Sequence, residues 1–187
     1  MTRILGISGS LRRDSYNTSL LRAATETAGP DVQFELYDGL KEVPPYDEDD
    51  DVHPRPASVA RLNAAIAIAD AVLFATPEYN RSIPGHLKNA IDWVSRPVAT
   101  NVLRNKPVAV VGASTGAFGA VWAQAELRKV LAALGARVLD VEFPVPHCHT
   151  CFEERELIDE EIRAGLDDAV AALAAEIRHR ERAKVVA

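Results

Sequence analysis

The sequence predicts an α/β fold in which a five-stranded parallel sheet lies between two layers of helices. Short apolar runs alternate with longer stretches of helical periodicity along the chain, and such alternation is typical of right-handed βαβ units. Two of the runs are apolar throughout, as strands buried on both faces are. The predicted strands are residues 3–8, 32–37, 71–76, 107–112 and 137–143.

The third and fourth strands are the predicted centre of the sheet, because residues 71–75 and 108–111 contain no polar side chain. The segment between the fourth and fifth strands has apolar residues at helical spacing and ends at Gly135, a typical residue just after a helix. A last amphipathic helix is predicted from about residue 153 to residue 182, with apolar surface for the sheet and for a partner subunit.

Size and composition restrict the class of protein. The 187 residues fit one domain, residues 1–187, with a self-sufficient core. A net charge of −6 argues against a nucleic acid or an anionic membrane as partner. No apolar run approaches the roughly 20 residues that span a bilayer, and the N-terminus lacks a cleavable leader pattern. The two cysteines are too few for a disulfide-stapled secreted domain. We therefore expect a cytoplasmic protein with small-molecule ligands.

The strand pattern also predicts where a ligand binds. A doubly wound sheet binds its ligand beyond the carboxyl ends of its strands, at the point where the strand order reverses. For the flavodoxin-like order 2-1-3-4-5, that point lies between the first and third strands. The loops that follow strands one, three and four are therefore the predicted binding site.

The first of these loops has the residue types of a phosphate site. The N–H groups at a helix start have no partner within the helix, and the helix dipole places partial positive charge there. Ser10, Ser15 and Asn17 add neutral donors, and Arg12 adds a charge that can meet two phosphate oxygens. Such residues are also ordinary helix N-caps, so this loop alone leaves both interpretations open. The chain contains no GxxxxGKS/T loop and no GxGxxG fingerprint.

The loop after the third strand suits a flat heterocycle. Tyr79 offers an amphipathic ring, Asn80 offers donors and acceptors, and Arg81 offers positive charge for a reduced ring or a phosphate. A plain Pro-rich turn before a capped helix is the alternative for this segment. The loop after the fourth strand, residues 112–119, contains three glycines, which let a ligand approach the backbone closely.

Three segments carry a resemblance to a known family. They read GSLRRDSYN at residues 9–17, PEYNRSIPGHLKNAIDW at residues 77–93 and STGAFG at residues 114–119. With these motifs the chain resembles the NADPH-dependent FMN reductases, flavodoxin-like flavoproteins that include quinone and chromate reductases. The resemblance extends from the first strand to the last helix and implies a flavodoxin-like, three-layer α/β/α fold.

The resemblance further implies an FMN site formed by the same three loops. The implied phosphate contacts are Ser10, Arg12, Ser15, Tyr16 and Asn17, with Tyr16 acting through its backbone N–H. The implied ribityl and isoalloxazine contacts are Pro77, Glu78, Tyr79, Asn80 and Arg81, with Ser114, Thr115, Gly116 and Phe118 on the other side.

The activity implied by the resemblance is that of an NAD(P)H-dependent oxidoreductase. NADPH or NADH would reduce FMN in a ping-pong cycle, and a quinone, a free flavin, a metal oxyanion or a similar small molecule would accept the electrons. No catalytic side chain is required, and no metal is expected. Homodimers or homotetramers are implied, with the flavin near a subunit boundary. The alternatives are a flavodoxin-like electron carrier without a pyridine-nucleotide site and a nucleotide-monophosphate sensor without redox function.

Three further features carry expectations of their own. The segment 147–151 contains two His and two Cys, but their crowding within five residues is unlike the two-part spacing of most structural zinc sites. We expect a loop there, with Cys148 as a small buried residue. The acidic residues 47–51 are expected to form a solvated surface segment. Many members of the family have a second glycine where this chain has Ala120, and an alanine there predicts a negative φ.

Overall fold

A parallel sheet forms the centre of the computed structural model, which describes the backbone of residues 1–186 and the side chains of residues 1–179. Its strands are β1 (Thr2–Ser8), β2 (Val32–Tyr37), β3 (Ala71–Ala75), β4 (Pro107–Ala113), β5 (Arg137–Val138) and β6 (Pro144–Val145). The helices are α1 (Tyr16–Thr27), α2 (Ala57–Ile68), α3 (Gly85–Val94), α4 (Val121–Ala133) and α5 (Glu160–Val186). The predicted order β2-β1-β3-β4-β5 is confirmed.

Different helices cover the two faces of the sheet. Helices α2, α3 and α4 pack on one face through residues such as Leu62, Ile91 and Leu127. Helices α1 and α5 pack on the other through residues such as Leu20 and Leu173. Every residue of β3 and β4 is buried, which confirms these strands as the centre of the sheet, since their alternate side chains enter opposite layers.

The fifth strand differs from the prediction, because the segment 137–143 is not one continuous strand. Arg137 of β5 pairs with Pro107 of β4, whereas Pro144 of β6 pairs with Gly112. Residues 139–143 therefore lie opposite residues 109–111, so the edge strand bulges out of the ladder. Side chains of α4 form hydrogen bonds with backbone groups of the bulge. Arg128 donates to the Val141 carbonyl at 2.9 Å, and Gln124 Oε1 accepts from Phe143 N–H at 3.3 Å.

The start of the last helix was also predicted wrongly. Residues 152–157 form a β-hairpin of β7 (Phe152–Glu153) and β8 (Glu156–Leu157), and α5 begins only at Glu160. Glu154 and Arg155 have φ values of 47° and 77°, which a helix excludes and a tight hairpin turn requires. The Asp159 carboxylate then accepts from the N–H groups of Glu161 and Ile162 at 3.0 Å, and so caps the new helix.

The surface confirms one expectation about charge. Asp47, Glu48, Asp49 and Asp50 are exposed, and Asp51 pairs with Arg55 at 2.7 Å. Within the described residues, no helix is long and apolar enough to cross a membrane.

Candidate functional site

An open cleft of about 170 Å³ lies at the carboxyl ends of β1, β3 and β4. The three loops predicted from the strand order meet there. The lining residues are Ser10, Arg12, Ser15, Tyr16, Asn17, Pro77, Glu78, Tyr79, Ala113, Ser114, Thr115 and Cys148.

The start of α1 forms the polar end of this cleft. Ser15 has an extended backbone (φ −84°, ψ 126°), and its hydroxyl accepts from Thr18 N–H at 3.4 Å as the N-cap. The N–H groups of Tyr16 and Asn17 then begin the helix without partners inside it. The Arg12 guanidinium lies 5.5 Å from the centre of the Tyr16 ring, so its charge stays beside these donors. The arrangement is that of an anion site.

A hairpin from the far end of the chain supports this loop. The Phe152 ring lies 5.5 Å from the Tyr16 ring, on which Arg12 rests. Arg155, in the hairpin turn, forms an ion pair with Asp14. The β7-β8 hairpin thus contacts the first loop at two positions on either side of Ser15. Nothing in the helical periodicity of residues 153–182 signalled these contacts.

Asn17 has a structural function in addition to the ligand contact that the sequence suggested. Its amide Nδ2 donates to the Ala113 carbonyl and its Oδ1 accepts from the Ala113 N–H, both at 2.9 Å. The side chain is 3% exposed and joins the start of α1 to the end of β4. The backbone N–H of Asn17 and its second Nδ2 hydrogen are left for a ligand in the cleft that this residue lines. The sequence signal for this contact was the position of Asn17 on the buried face of α1, which continues with Leu20, Leu21 and Ala24.

The loop after β3 makes a tight reverse turn beside the cleft. Tyr79 and Ser82 exchange two backbone hydrogen bonds, at 3.0 and 3.1 Å. The central residues Asn80 and Arg81 both have positive φ, at 54° and 61°, as in a type I′ turn. An arginine in this left-handed region costs roughly 1 kcal/mol of conformational free energy. The hydrogen bonds of the turn hold Arg81 in that conformation. Its guanidinium lies 5.0 Å from the centre of the Trp122 ring.

Glu78 links the loop after β3 to the start of α4. Its Oε2 accepts from the N–H groups of Trp122 and Ala123, at 3.1 and 3.2 Å. Ala120, which occupies the N-cap position of α4, has no side chain that could do so. The Glu78 carboxylate is therefore the cap of α4, supplied from 44 residues away in the chain. Sequence reasoning missed this, although an uncapped helix start at Ala120 was a signal.

The loop after β4 corrects the expectation for Ala120. Ala120 has φ 63° and ψ 29°, a left-handed conformation that was predicted only for glycine. Gly119 before it also has positive φ, at 56°, and a Cβ there would lie 2.6 Å from Val145 N. Gln124 bonds the Gly119 carbonyl at 3.0 Å and is fully buried. The loop is thus fixed by close packing on β6, at the cost of strain at Ala120.

Four of the predicted contacts do not line the cleft. Asn80, Arg81, Gly116 and Phe118 lie outside its lining, and all four are exposed. Phe118 packs against Trp122 with ring centres 4.7 Å apart, so the two form an aromatic surface with Arg81 beside the cleft. The other predicted residues line it, together with two that the sequence did not suggest, Ala113 and Cys148.

Cys148 is a buried wall of the cleft, as its small size suggested. Its side chain is fully buried, and burial, with the neighbouring Cys151, raises its pKa to about 11. Arg12 acts in the opposite direction on this pKa, because its positive charge favours the thiolate. Both cysteines are free thiols. In the part of the chain with described side chains, no three His, Cys, Asp or Glu residues are placed to hold a metal.

The sheet order, the cleft at the switch point and its free helix start define a flavodoxin-like binding protein. Residues 2–150 match the family described as NADPH-dependent FMN reductase. The chain belongs to the NADPH-dependent FMN reductase family.

Individual relatives are similar over almost their whole length. An NAD(P)H-dependent FMN reductase of Pseudomonas aeruginosa is 41% identical over 173 residues, which is 91% of this chain and 92% of that protein. A 2-hydroxy-1,4-benzoquinone reductase of a Burkholderia species is 38% identical, with coverages of 95% and 97%. The solved structure of FerB, a flavoenzyme NAD(P)H:(acceptor) oxidoreductase from Paracoccus denitrificans, has a TM-score of 0.84 at 35% identity, with coverages of 96% and 98%.

Proposed function

We propose that the cleft binds FMN and that the protein is an NAD(P)H-dependent FMN and quinone reductase. The observation that carries this proposal is the anion site at the start of α1, in a chain of this family. Within the described residues, Glu78 is the one carboxylate in the lining, and it faces the N–H groups of α4. The remaining donors at the polar end suit a phosphate monoester.

Different residues of the cleft would bind different parts of FMN. Ser10, Arg12 and Ser15 would hold the phosphate, together with the backbone N–H groups of Tyr16 and Asn17. Pro77, Glu78 and Tyr79 would contact the ribityl chain and the ring from one side, with Glu78 acting through its backbone. Ser114 and Thr115 would contact them from the other side. Asn80, Arg81, Gly116 and Phe118 would form the rim.

Bound FMN supplies the redox chemistry, because it takes hydride from a nicotinamide and passes electrons to an acceptor. The protein positions the reactants and sets the local charge. Arg81 keeps a positive charge at the rim, where it would favour negative charge on a bound flavin. The Cys148 thiol, with a pKa of about 11, holds its proton at neutral pH and supplies no base.

A small aromatic acceptor fits the surface beside the cleft. Tyr79 and Phe118 are 53% and 61% exposed, and Trp122 is 37% exposed, so three aromatic faces are open to solvent. Flat electron-poor rings stack on such faces. A quinone is therefore the acceptor class that we propose, as the names of the Burkholderia and Pseudomonas putida relatives also suggest.

These exposed rings also support a homodimer or homotetramer in which the partner subunit would border the acceptor surface, because a cluster of exposed aromatic residues is typical of a subunit interface. Light scattering at two protein concentrations, with Trp122→Ala as the variant, tests this. We expect a dimer or tetramer that the substitution weakens, whereas a monomer at both concentrations would contradict it.

The test of function is reduction of retained flavin. The protein is mixed with FMN, filtered, and treated anaerobically with NADPH and, separately, with NADH while the visible spectrum is recorded. Bleaching, followed by recovery on addition of a benzoquinone, is expected. Bleaching by dithionite alone would instead indicate an electron carrier, and failure to retain or reduce flavin would contradict the proposal.

A further inference from the structure

A second groove, of about 290 Å³, lies on the other side of the first loop, between that loop, α1 and the end of β2. Ser10 and Arg12 line both the cleft and this groove, so a single loop separates the two. The proposed FMN site uses nothing else in the groove. Its remaining cations are Arg13 from the loop, Arg22 from α1 and Lys41 from the short helix after β2.

These three cations lack carboxylate partners in the described part of the chain, although acids adjoin them in sequence. Asp14, next to Arg13, forms an ion pair with Arg155 of the hairpin. Glu42, next to Lys41, forms one with Arg61 of α2 at 2.9 Å. The neighbouring acids are thus held by cations from elsewhere. A protein with a net charge of −6 therefore keeps an unneutralised basic groove beside its cofactor cleft.

The rest of the groove is not purely basic, and this restricts the ligand. Leu11, Leu21 and Leu36 give it an apolar wall, with Leu11 40% exposed. Asp38, exposed just after β2, adds one carboxylate. An apolar wall suits a base, a carboxylate accepts from ribose hydroxyls, and clustered cations suit a phosphate monoester. Inorganic phosphate would contact only the cations, whereas an adenosine phosphate would contact the cations, the carboxylate and the apolar wall.

We propose that this groove binds the adenosine end of NADPH, with Arg22 and Lys41 holding the 2′-phosphate. The proposal rests on the proposed reductase function, since it assigns the part of the nucleotide remote from the flavin. Only the 2′-phosphate distinguishes NADPH from NADH, so the groove is the origin of a preference for NADPH. Ser10 and Arg12 line both sites, and Arg13 is the third cation of the groove alone.

The first test compares nucleotide kinetics of the FMN-loaded enzyme for Arg22→Gln and Lys41→Gln. Each substitution keeps a polar side chain and removes one charge. The KM for NADPH is expected to rise about tenfold, the effect of losing one charge-assisted contact, while the KM for NADH stays within about twofold. Lys129→Gln, an exposed cation of α4 outside both grooves, is the matched control and should change neither. Equal changes for both nucleotides, or none, would overturn the assignment.

The second test separates this proposal from the proposed function. Calorimetry of the FMN-loaded wild-type protein measures binding of 2′,5′-ADP and of 5′-AMP, neither of which is a hydride donor. Tighter binding of 2′,5′-ADP, lost in Arg22→Gln and kept in Lys129→Gln, is expected. If the two ligands bind alike, the groove is not a 2′-phosphate site, whatever the kinetics show. If 2′,5′-ADP binds as expected but no nucleotide bleaches the flavin, the groove stands and the reductase function fails.

Discussion

The helices α1 and α4 both begin at the cleft, but their N-termini are occupied differently. The start of α4 holds the Glu78 carboxylate, so a chain anion already meets its N–H groups. The start of α1 has only the neutral hydroxyl of Ser15 as its cap, and Arg12 lies beside it. Both helix starts present equivalent backbone donors. The charge of the capping side chain therefore decides which of them is left for a ligand phosphate.

The greatest loss of stability is expected when α1 is disconnected from β4. Asn17→Ala leaves the N–H and the carbonyl of Ala113 buried without their partner. The free energy of unfolding in urea should fall by about 2–4 kcal/mol, the range for two unsatisfied backbone groups. Asn63→Ala removes an amide that bonds only within α2, to the Val59 carbonyl, and should change it by less than about 0.5 kcal/mol. Equal losses of stability in the two variants would show that the Asn17 side chain does not hold α1 to β4.

The start of α1 is tested next by removing the charge of Arg12. Arg12→Ala should weaken FMN binding by about 1.5–3 kcal/mol in a fluorescence titration, since one hydrogen bond to a charged group is lost. Arg81→Ala, at the rim, should affect turnover with the nucleotide more than FMN affinity. Unchanged affinity in Arg12→Ala would remove this residue from the phosphate site, and normal turnover with poor flavin retention in Arg81→Ala would reverse the second assignment.

The occupied helix start gives a smaller effect on stability. Glu78→Ala should lower the free energy of unfolding by about 1–2 kcal/mol, as loss of a helix cap does. Glu78→Gln keeps an acceptor oxygen for Trp122 and Ala123 and should recover about half of that loss. Glu126→Ala, an exposed acid of the same helix, serves as the control and should have little effect. A Gln variant as unstable as the Ala variant would mean that the carboxylate charge alone stabilises α4.

Cys148, in the wall of the cleft, is expected to make the free energy of unfolding depend on pH. Folding raises the pKa of Cys148 from 9.0 to about 11, so the folded protein keeps the thiol proton to higher pH. The stability contributed by this proton is complete below pH 9 and is lost as the pH rises through 11. The free energy of unfolding should therefore fall over this interval, and fall less in Cys148→Ala. Identical slopes for the two proteins would contradict the assignment.

The sequence was sufficient for the features that depend on local pattern. Apolar runs located β1 to β4, and the strand order then brought the three loops together at one cleft. The edge strand was predicted less well, because its apolar residues alternate with polar ones and nothing local shows that residues 139–143 bulge. The same holds for the hairpin at residues 152–157, whose turn residues Glu154 and Arg155 adopt positive φ without a glycine.

The functions of Asn17 and Glu78 needed the structure, because their partners are distant in the chain. Asn17 bonds a backbone 96 residues away, and Glu78 bonds one 44 residues away. Both were predicted as ligand contacts from their position in the motifs. The structure shows that each side chain also bonds another part of the backbone, while both residues line the cleft. Residue type indicated a polar site, but only packing determines which polar groups are already paired.

The hairpin of β7 and β8 has a consequence for how the protein matures during synthesis. Phe152 and Arg155 contact the first loop through Tyr16 and Asp14, although they follow it by well over a hundred residues. A ribosome must therefore extrude the chain past Arg155 before residues 10–17 acquire their full set of contacts. Truncated translation products that end near residue 150 would therefore lack these two contacts to the loop that they carry.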